Sequence, residues 1–294
     1  MSAVFRLLRP KQWTKNLLVL AAYIFTQGWQ DPTKLAPTLW AVLAFCLVSS
    51  GVYVLNDLAD RKRDQSHPQK KSRPIASGAI SVTSAGAWMV LCWASGFAAA
   101  TAARPEVVAV LAVYVAVQLA YSFALKAVPI LDVFIIGSGF ILRAAAGAAA
   151  IAVTMSPWLL YCTGSLALLL GFAKRRHELG LSTNAGLESR PALRGYSGPV
   201  IDALILLSAG LAAISYGVYS IESATARAHP ALVATGPVVL YGICRYLYWV
   251  FGQSEGGEPE SLLLQDPHLW VTVALFIVLA VAATSGWRLP LVMP

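Results

Sequence analysis

The sequence predicts an all-α, polytopic membrane protein with nine transmembrane helices. Composition is the first reason: 57% of the 294 residues are hydrophobic and only 12% are charged, about half the charged share of a soluble domain. Apolar runs of bilayer-spanning length recur along the whole chain, and lipid tolerates only helices or closed barrels. Continuous apolar runs, without period-two alternation, favour helices. Basic residues then fall on alternate connections, as they do when one side of the membrane is cytoplasmic.

The first run, 14–29, follows Arg9-Pro10-Lys11-Gln12-Trp13-Thr14-Lys15-Asn16. Basic residues ahead of an apolar stretch resemble a signal sequence, but the further runs behind it make a retained first helix the expectation. Trp13 there reads as an anchor at headgroup level. The second, 35–56, is free of charge until Asp57. The third and fourth, 82–103 and 106–125, flank a short connection, and the fourth ends in Tyr121-Ser122-Phe123-Ala124-Leu125-Lys126. The fifth, 130–153, carries Asp132 and Arg143, and the sixth, 156–173, ends in Lys174-Arg175-Arg176-His177-Glu178. Runs 200–221, 230–251 and 268–288 complete the set, the last preceded by the acidic, Gly-rich stretch Gly252–Glu260. That stretch reads as a lid or as a plain solvated connection. All nine belong to a single domain over 1–294.

Charge orients the chain. With the N-terminus inside, most of the 22 Lys and Arg residues lie on the inner side, at Arg6–Lys15, Arg61–Arg73, Lys126 and Lys174–Arg194. The N-terminus and the Asp-rich connection are therefore cytoplasmic and the C-terminus is outside. The net charge of +8 follows from this topology and from anionic lipids or substrates, and needs no nucleic acid. Cys46, Cys92, Cys162 and Cys244 lie in separate apolar runs without C-x-x-C spacing and read as small hydrophobes.

Chemistry concentrates at Asn56-Asp57-Leu58-Ala59-Asp60-Arg61-Lys62-Arg63-Asp64. If the helix continues, Asp57, Asp60 and Asp64 stand at i, i+3 and i+7 on one face. Clustered carboxylates need a compensating cation, and Mg2+ takes one or two carboxylates together with substrate phosphates. The alternative is a solvated helix end. The connection runs on through Lys70-Lys71-Ser72-Arg73-Pro74-Ile75-Ala76-Ser77-Gly78, adding basic groups beside the acids.

The segment Lys174–Glu178 is the second cytoplasmic cluster, with Lys174 and Glu178 at i and i+4. It serves either as a phosphate clamp or as an ordinary positive stop after a helix. Helices 2 and 6 both run inward and both end in charged extensions, a spacing that predicts two four-helix halves around a central cavity opening to the cytoplasm. Asp132 and Arg143 share a face of helix 5 but stand about 16 Å apart along the axis. Ionisable groups at that depth face a bundle interior or a wet cavity, so Arg143 binds a lipid phosphate or pairs within the protein.

N-D-x-x-D-x-x-x-D after the second of nine helices, then R-P-I-A-S-G, then Tyr121…Lys126, resembles the UbiA superfamily of intramembrane prenyltransferases over nearly the whole chain. The resemblance implies nine helices around a central cavity, two Asp-rich motifs and Mg2+ holding a prenyl diphosphate. This chain departs at the second motif, where Lys174–Glu178 stands in place of D-x-x-x-D. One branch, the decaprenyl-phosphate phosphoribosyltransferases, has that pattern. It also resembles this chain in R-P-K-Q-W-x-K-N, Y-S-x-x-L-K…L-D, K-R-x-x-E-L and G-G-E-P-E-x-L-x-L, here at Arg9–Asn16, Tyr121–Asp132, Lys174–Leu179 and Gly256–Leu264.

The branch resemblance implies transfer of 5-phosphoribosyl from phosphoribosyl diphosphate to a polyprenyl phosphate, with release of diphosphate, for a lipid-linked arabinan precursor of the cell wall. Asp57 and Asp60, with Asp64, would hold Mg2+, and Asn56 would orient the leaving group. Lys15, Asn16, Arg73, Tyr121, Lys126, Lys174 and Arg175 would bind donor phosphates, while Glu178 positions Lys174 or a ribose hydroxyl. The rival enzyme reading is an aromatic polyprenyltransferase using a polyprenyl diphosphate, against which the cationic second motif argues. A transporter is the rival from another class, and uniformly apolar helices argue against alternating access. Partners are thus the donor, the lipid and the membrane, and a homo-oligomer is compatible with the sequence.

Overall fold

The computed structural model describes residues 3–66, 70–185, 191–253, 257, 262 and 265–287. Among them the regular structure is helical, without a strand. The long helices are α1 (Leu35–Ala59), α2 (Val82–Ala103), α3 (Pro105–Phe123), α4 (Leu131–Ala150), α5 (Pro157–Ala185), α6 (Gly198–Glu222), α7 (Gly236–Gly252) and α8 (Pro267–Thr284). Within the described residues, eight helices are long and apolar enough to cross a membrane. They coincide with the second to ninth expected runs.

The first run differs. Residues 14–29 are not one α-helix: Pro10–Leu20 is a 3-10 helix, continued by the short α-helix Ala21–Phe25. Such a long 3-10 stretch needs outside support. Asn16 supplies some, donating through Nδ2 to Cys46 Sγ and Ser49 Oγ at 3.3 Å each. Gly147 of α4 supplies more, because a Cβ there would overlap the Val19 carbonyl. Trp13, expected as a headgroup anchor, donates to Ser50 Oγ of α1 at 2.9 Å.

Helix starts follow local chemistry. Ser81 accepts from Ser84 N at 3.1 Å and caps α2. Pro105 occupies the first turn of α3, where a missing N–H costs no helical bond. Asp266 accepts from His268 N at 3.0 Å and caps α8, with Pro267 in the first turn.

The chain divides into two compact units. The first comprises 1–23, 28–126 and 142–154, hence α1–α3 and the end of α4. Its core gathers Phe45, Val48 and Val52 of α1, Ala99 and Ala100 of α2, and Val107, Leu111 and Tyr114 of α3. Here α1 and α2 run close, since a Cβ at Gly96 would stand 3.1 Å from the Ala44 carbonyl oxygen. The second comprises 24–27, 127–141 and 155–294, with α5–α8 and the start of α4. Its core is built on Leu169 and Phe172 of α5, Ile201 and Ile205 of α6, and Ile243 and Tyr246 of α7. Large apolar side chains such as Leu207 and Ile214 of α6 and Val278 of α8 are exposed. That surface belongs in lipid.

Candidate active site

The three aspartates do not continue one helix. Asp60, at φ −93° and ψ 2°, ends α1, and a new short helix, Arg61–Ser66, carries Asp64. Aspartate favours such breaks because its side chain competes for backbone partners. Here it turns instead to a cation: Lys126 Nζ donates to Asp60 Oδ1 at 2.7 Å. Arg63 lies 3.2 Å from the other Asp60 oxygen.

Asp57 and Asp64 are buried, with side chains only 3% and 2% exposed. One nitrogen serves both, Arg73 Nη1, at 3.0 Å from Asp57 Oδ1 and 2.7 Å from Asp64 Oδ2. Arg9 Nη2 sits against both Asp57 oxygens at 2.6 and 2.7 Å, and its guanidinium lies over the Tyr53 ring at 5.2 Å. Arg9 adopts a left-handed backbone, φ 51° and ψ 56°, which costs about 1–2 kcal/mol in a non-glycine residue. Asn56 accepts a hydrogen bond from Ser122, the penultimate residue of α3.

A small apolar cluster fixes the two arginine-bearing segments around Asp57. Leu7, Val54, Ile75, Ile80 and Ala85 pack together, so Arg9 follows one anchored residue closely and Arg73 precedes another. The R-P-I-A-S-G turn is closed by Ser77 N donating to Arg73 O at 2.9 Å and Ile80 N to Pro74 O at 3.0 Å. Gly78 at φ 78° supplies the left-handed residue that the turn needs.

The donor set suits a divalent cation. No group of three or more His, Cys, Asp or Glu converges to hold a metal among the described residues, yet Asp57 and Asp64 already share a single cationic atom. Two hard carboxylates around one cation, with neighbouring cations to receive phosphates, is the chemistry Mg2+ uses.

Deeper in the same unit, Arg143 donates through Nε to Asn16 Oδ1 at 2.7 Å and through Nη2 to Tyr114 at 3.3 Å. It is 5% exposed and lies over the Tyr114 and Phe45 rings at 5.1 and 5.7 Å. Two residues expected to bind substrate thus bind each other. Lys15 and Tyr121 are half-buried in this unit.

In the second unit, Arg175 is 2% exposed and donates through Nε to Asp132 at 2.7 Å and through Nη1 to Glu178 at 2.6 Å. Tyr196 donates to Asp132 at 3.3 Å and accepts from Ile130 N, steadying a β-branched residue held at φ 67°. Burial pushes the Tyr196 hydroxyl up to about 12. Arg176 bonds Asp202 at 2.7 Å, and Lys174 is exposed. The Gly252–Glu260 stretch lies largely outside the described residues, as do Arg190 and the chain after Trp287. Sequence reasoning did not assign Arg9, Ser122 or Tyr196 to these clusters. The R-P-K-Q-W segment contains Arg9, but nothing in its letters points to Asp57.

Residues 17–265 match the UbiA prenyltransferase family. The decaprenyl-phosphate phosphoribosyltransferase of Mycolicibacterium smegmatis is 33% identical over 293 residues, taking in 94% of this chain and 90% of that protein. The enzyme of the same name from Mycobacterium tuberculosis is 32% identical over 290 residues, 97% of this chain and 95% of its own. Among solved structures, a UbiA homologue from Archaeoglobus fulgidus, bound to GPP and Mg2+, aligns with a TM-score of 0.74. It covers 97% of this chain and 100% of that one at 20% identity, a likeness of fold.

Proposed function

The chain belongs to the UbiA prenyltransferase family, and from that premise we propose that it is a decaprenyl-phosphate phosphoribosyltransferase. It transfers 5-phosphoribosyl from phosphoribosyl diphosphate to a polyprenyl phosphate and releases diphosphate. Support comes from full-length likeness to enzymes of that name. The observation that carries the chemistry is the single nitrogen shared by buried Asp57 and Asp64, a ready-made cation position at the end of α1.

In this reading Asp57 and Asp64, with Asp60, hold Mg2+, which neutralises charge developing on the leaving diphosphate. Lys126 and Arg73 bind donor phosphates, Lys15 and Tyr121 are assigned to the same task, and Asn56, fixed by Ser122, orients the leaving group. An oxygen of the acceptor phosphate attacks ribose C1 as the C1–O bond to diphosphate breaks. No general base is needed, because the acceptor is already an anion near neutral pH. The residues' task is to align two polyanions and screen their repulsion. In the second unit Arg175 and Glu178, bonded to each other, hold the segment that carries Lys174 in place. Arg143 and Asn16, bonded to each other, support the 3-10 stretch at membrane depth. The protein sits in a bacterial plasma membrane with N-terminus and site cytoplasmic.

The test is radiolabel transfer with detergent-purified protein, Mg2+, labelled phosphoribosyl diphosphate and decaprenyl phosphate. Label should enter the lipid phase and be lost with EDTA. No transfer there, with prenylation of 4-hydroxybenzoate from a polyprenyl diphosphate in a parallel tube, would replace this reading by the aromatic one.

A further inference from the structure

We propose that the first unit carries a second site, a cavity at the membrane face opposite the Asp57 cluster that takes the phosphodiester headgroup of an anionic membrane phospholipid. Its lining combines the charged groups of Asp31, Lys34 and Arg104 with the apolar surfaces of Pro37, Ala150 and Ile151. The cavity measures about 300 Å3, the lower end of the range for small-ligand sites. Lys34 precedes α1 and Asp57 lies near its other end. At 1.5 Å per residue they stand about 35 Å apart along the axis, more than a hydrocarbon core about 30 Å thick. The site shares no residue with the metal reading above and stands without it.

Backbone bonds fix the rim. Lys34 N donates to Asp31 O at 3.0 Å, and Thr38 Oγ1 donates to Lys34 O at 2.7 Å. Arg104 alone separates α2 from α3. Its N–H donates to Ala100 O at 3.0 Å and its carbonyl accepts from Val107 N at 3.1 Å. Donors remain for an anion. Glu106 takes Arg104 Nε and Nη2 at 3.1 and 3.0 Å, and a guanidinium with five N–H groups keeps those on Nη1. Lys34 Nζ stands 3.8 Å from Asp31 Oδ2, beyond direct hydrogen-bond reach. Asp31 is engaged elsewhere, Oδ1 accepting from Thr33 N at 3.0 Å and Thr33 Oγ1 at 2.6 Å. The lining thus holds two cations and one acid, a balance that complements one phosphodiester.

The apolar half of the lining decides the source of that phosphate. A free phosphate gains nothing from Pro37, Ala150 and Ile151, whereas the glycerol ester and upper acyl carbons of a phospholipid would lie against them. Trp40, about one turn deeper than Pro37 in α1, is 43% exposed, an aromatic at interfacial depth. A headgroup seated there ties the start of α1 to the α2–α3 corner and to the end of α4.

The experiment adds lipid to delipidated full-length protein in detergent. Native mass spectrometry reads bound lipid, and intrinsic fluorescence reads the melting temperature. Phosphatidylglycerol should raise melting by about 2–4 °C and bind about tenfold more tightly than phosphatidylcholine, whose headgroup carries its own cation. Soluble glycerol 3-phosphate at the same concentration should do neither. Lys34→Gln and Arg104→Gln should each weaken phosphatidylglycerol binding about fivefold, the worth of one hydrogen bond. Asp31→Asn should strengthen it about twofold by removing the acid, a change of sign that general damage does not produce. Arg227→Gln, a cation 72% exposed and outside the lining, should leave it unchanged. Glycerol 3-phosphate matching phosphatidylglycerol, or phosphatidylcholine binding as tightly, would overturn the anionic lipid. Undiminished binding in Lys34→Gln or Arg104→Gln would overturn the site, as would an equal loss in Arg227→Gln. If neither lining variant folds, Asp31→Asn decides, and binding no tighter than wild type sinks the proposal.

Discussion

Arg175 donates through Nε to Asp132 at 2.7 Å with both side chains almost fully buried. A guanidinium so placed holds its own unit together before it meets any substrate. Replacing Arg175 with Met leaves Asp132 as an uncompensated buried charge, which costs about 3–5 kcal/mol. Adding Asp132→Asn should recover most of that loss. Thermal unfolding in detergent checks both. A single variant as stable as wild type, with only donor affinity reduced, would make Arg175 a phosphate ligand instead.

Asp57→Asn and Asp64→Asn each remove one of the two carboxylates that share Arg73 Nη1. Either should lower turnover by about a hundredfold or more at ordinary Mg2+. Both should retain a folded elution profile, because Arg73 keeps the other partner. Full turnover at saturating Mg2+ would remove the variant residue from the metal set.

Lys126→Gln tests the donor side. Lys126 and Asp60 are 27% and 21% exposed, so the bridge itself contributes about 1 kcal/mol or less to stability. The Michaelis constant for phosphoribosyl diphosphate should rise about tenfold, the worth of one charge-assisted bond. A loss of stability without any change in that constant would make Lys126 structural.

Legibility in the sequence follows from what each feature depends on. The eight long helices were readable because lipid admits only helices or closed barrels, and a continuous apolar run without period-two alternation selects the helix. The 3-10 winding of Pro10–Leu20 was not legible, because it goes with Gly147 making room for the Val19 backbone, a contact made far along the chain. The aspartate spacing was equally plain, but its consequence was not. Asp57 is answered by Arg9 from 48 positions away and Asp60 by Lys126 from 66. Periodicity reports which face a residue occupies, and says nothing of which loop returns to meet it.

Gly147→Ala follows from that contact. A methyl group there collides with the Val19 carbonyl, a backbone atom that cannot rotate aside. The expected cost is about 1–3 kcal/mol, read as a lower melting temperature in detergent. The effect should reach activity indirectly, since the 3-10 segment carries Asn16 and begins next to Arg9. An unchanged melting temperature would mean that the segment is free to shift.

Asp266 gives the pH dependence a sign. Its carboxyl accepts from Arg245 Nε at 2.7 Å, Trp249 Nε1 at 2.6 Å and His268 N at 3.0 Å, and the Arg245 hydrogen bond, with Trp249 and the cap adding to it, outweighs burial and lowers its pKa to about 2. A depressed folded-state pKa contributes stability above the usual carboxylate range and loses it as pH falls through the folded value. Wild type should therefore lose the contribution between about pH 4 and about pH 2. Asp266→Asn should melt lower near neutral pH, because the amide is a weaker cap and leaves Arg245 without its anion. Other carboxylates titrate in the same window, so the quantity to follow is the difference in melting temperature between the two proteins. That difference should shrink as pH drops below 4; a constant difference would show that Asp266 keeps its proton equilibrium unchanged on folding.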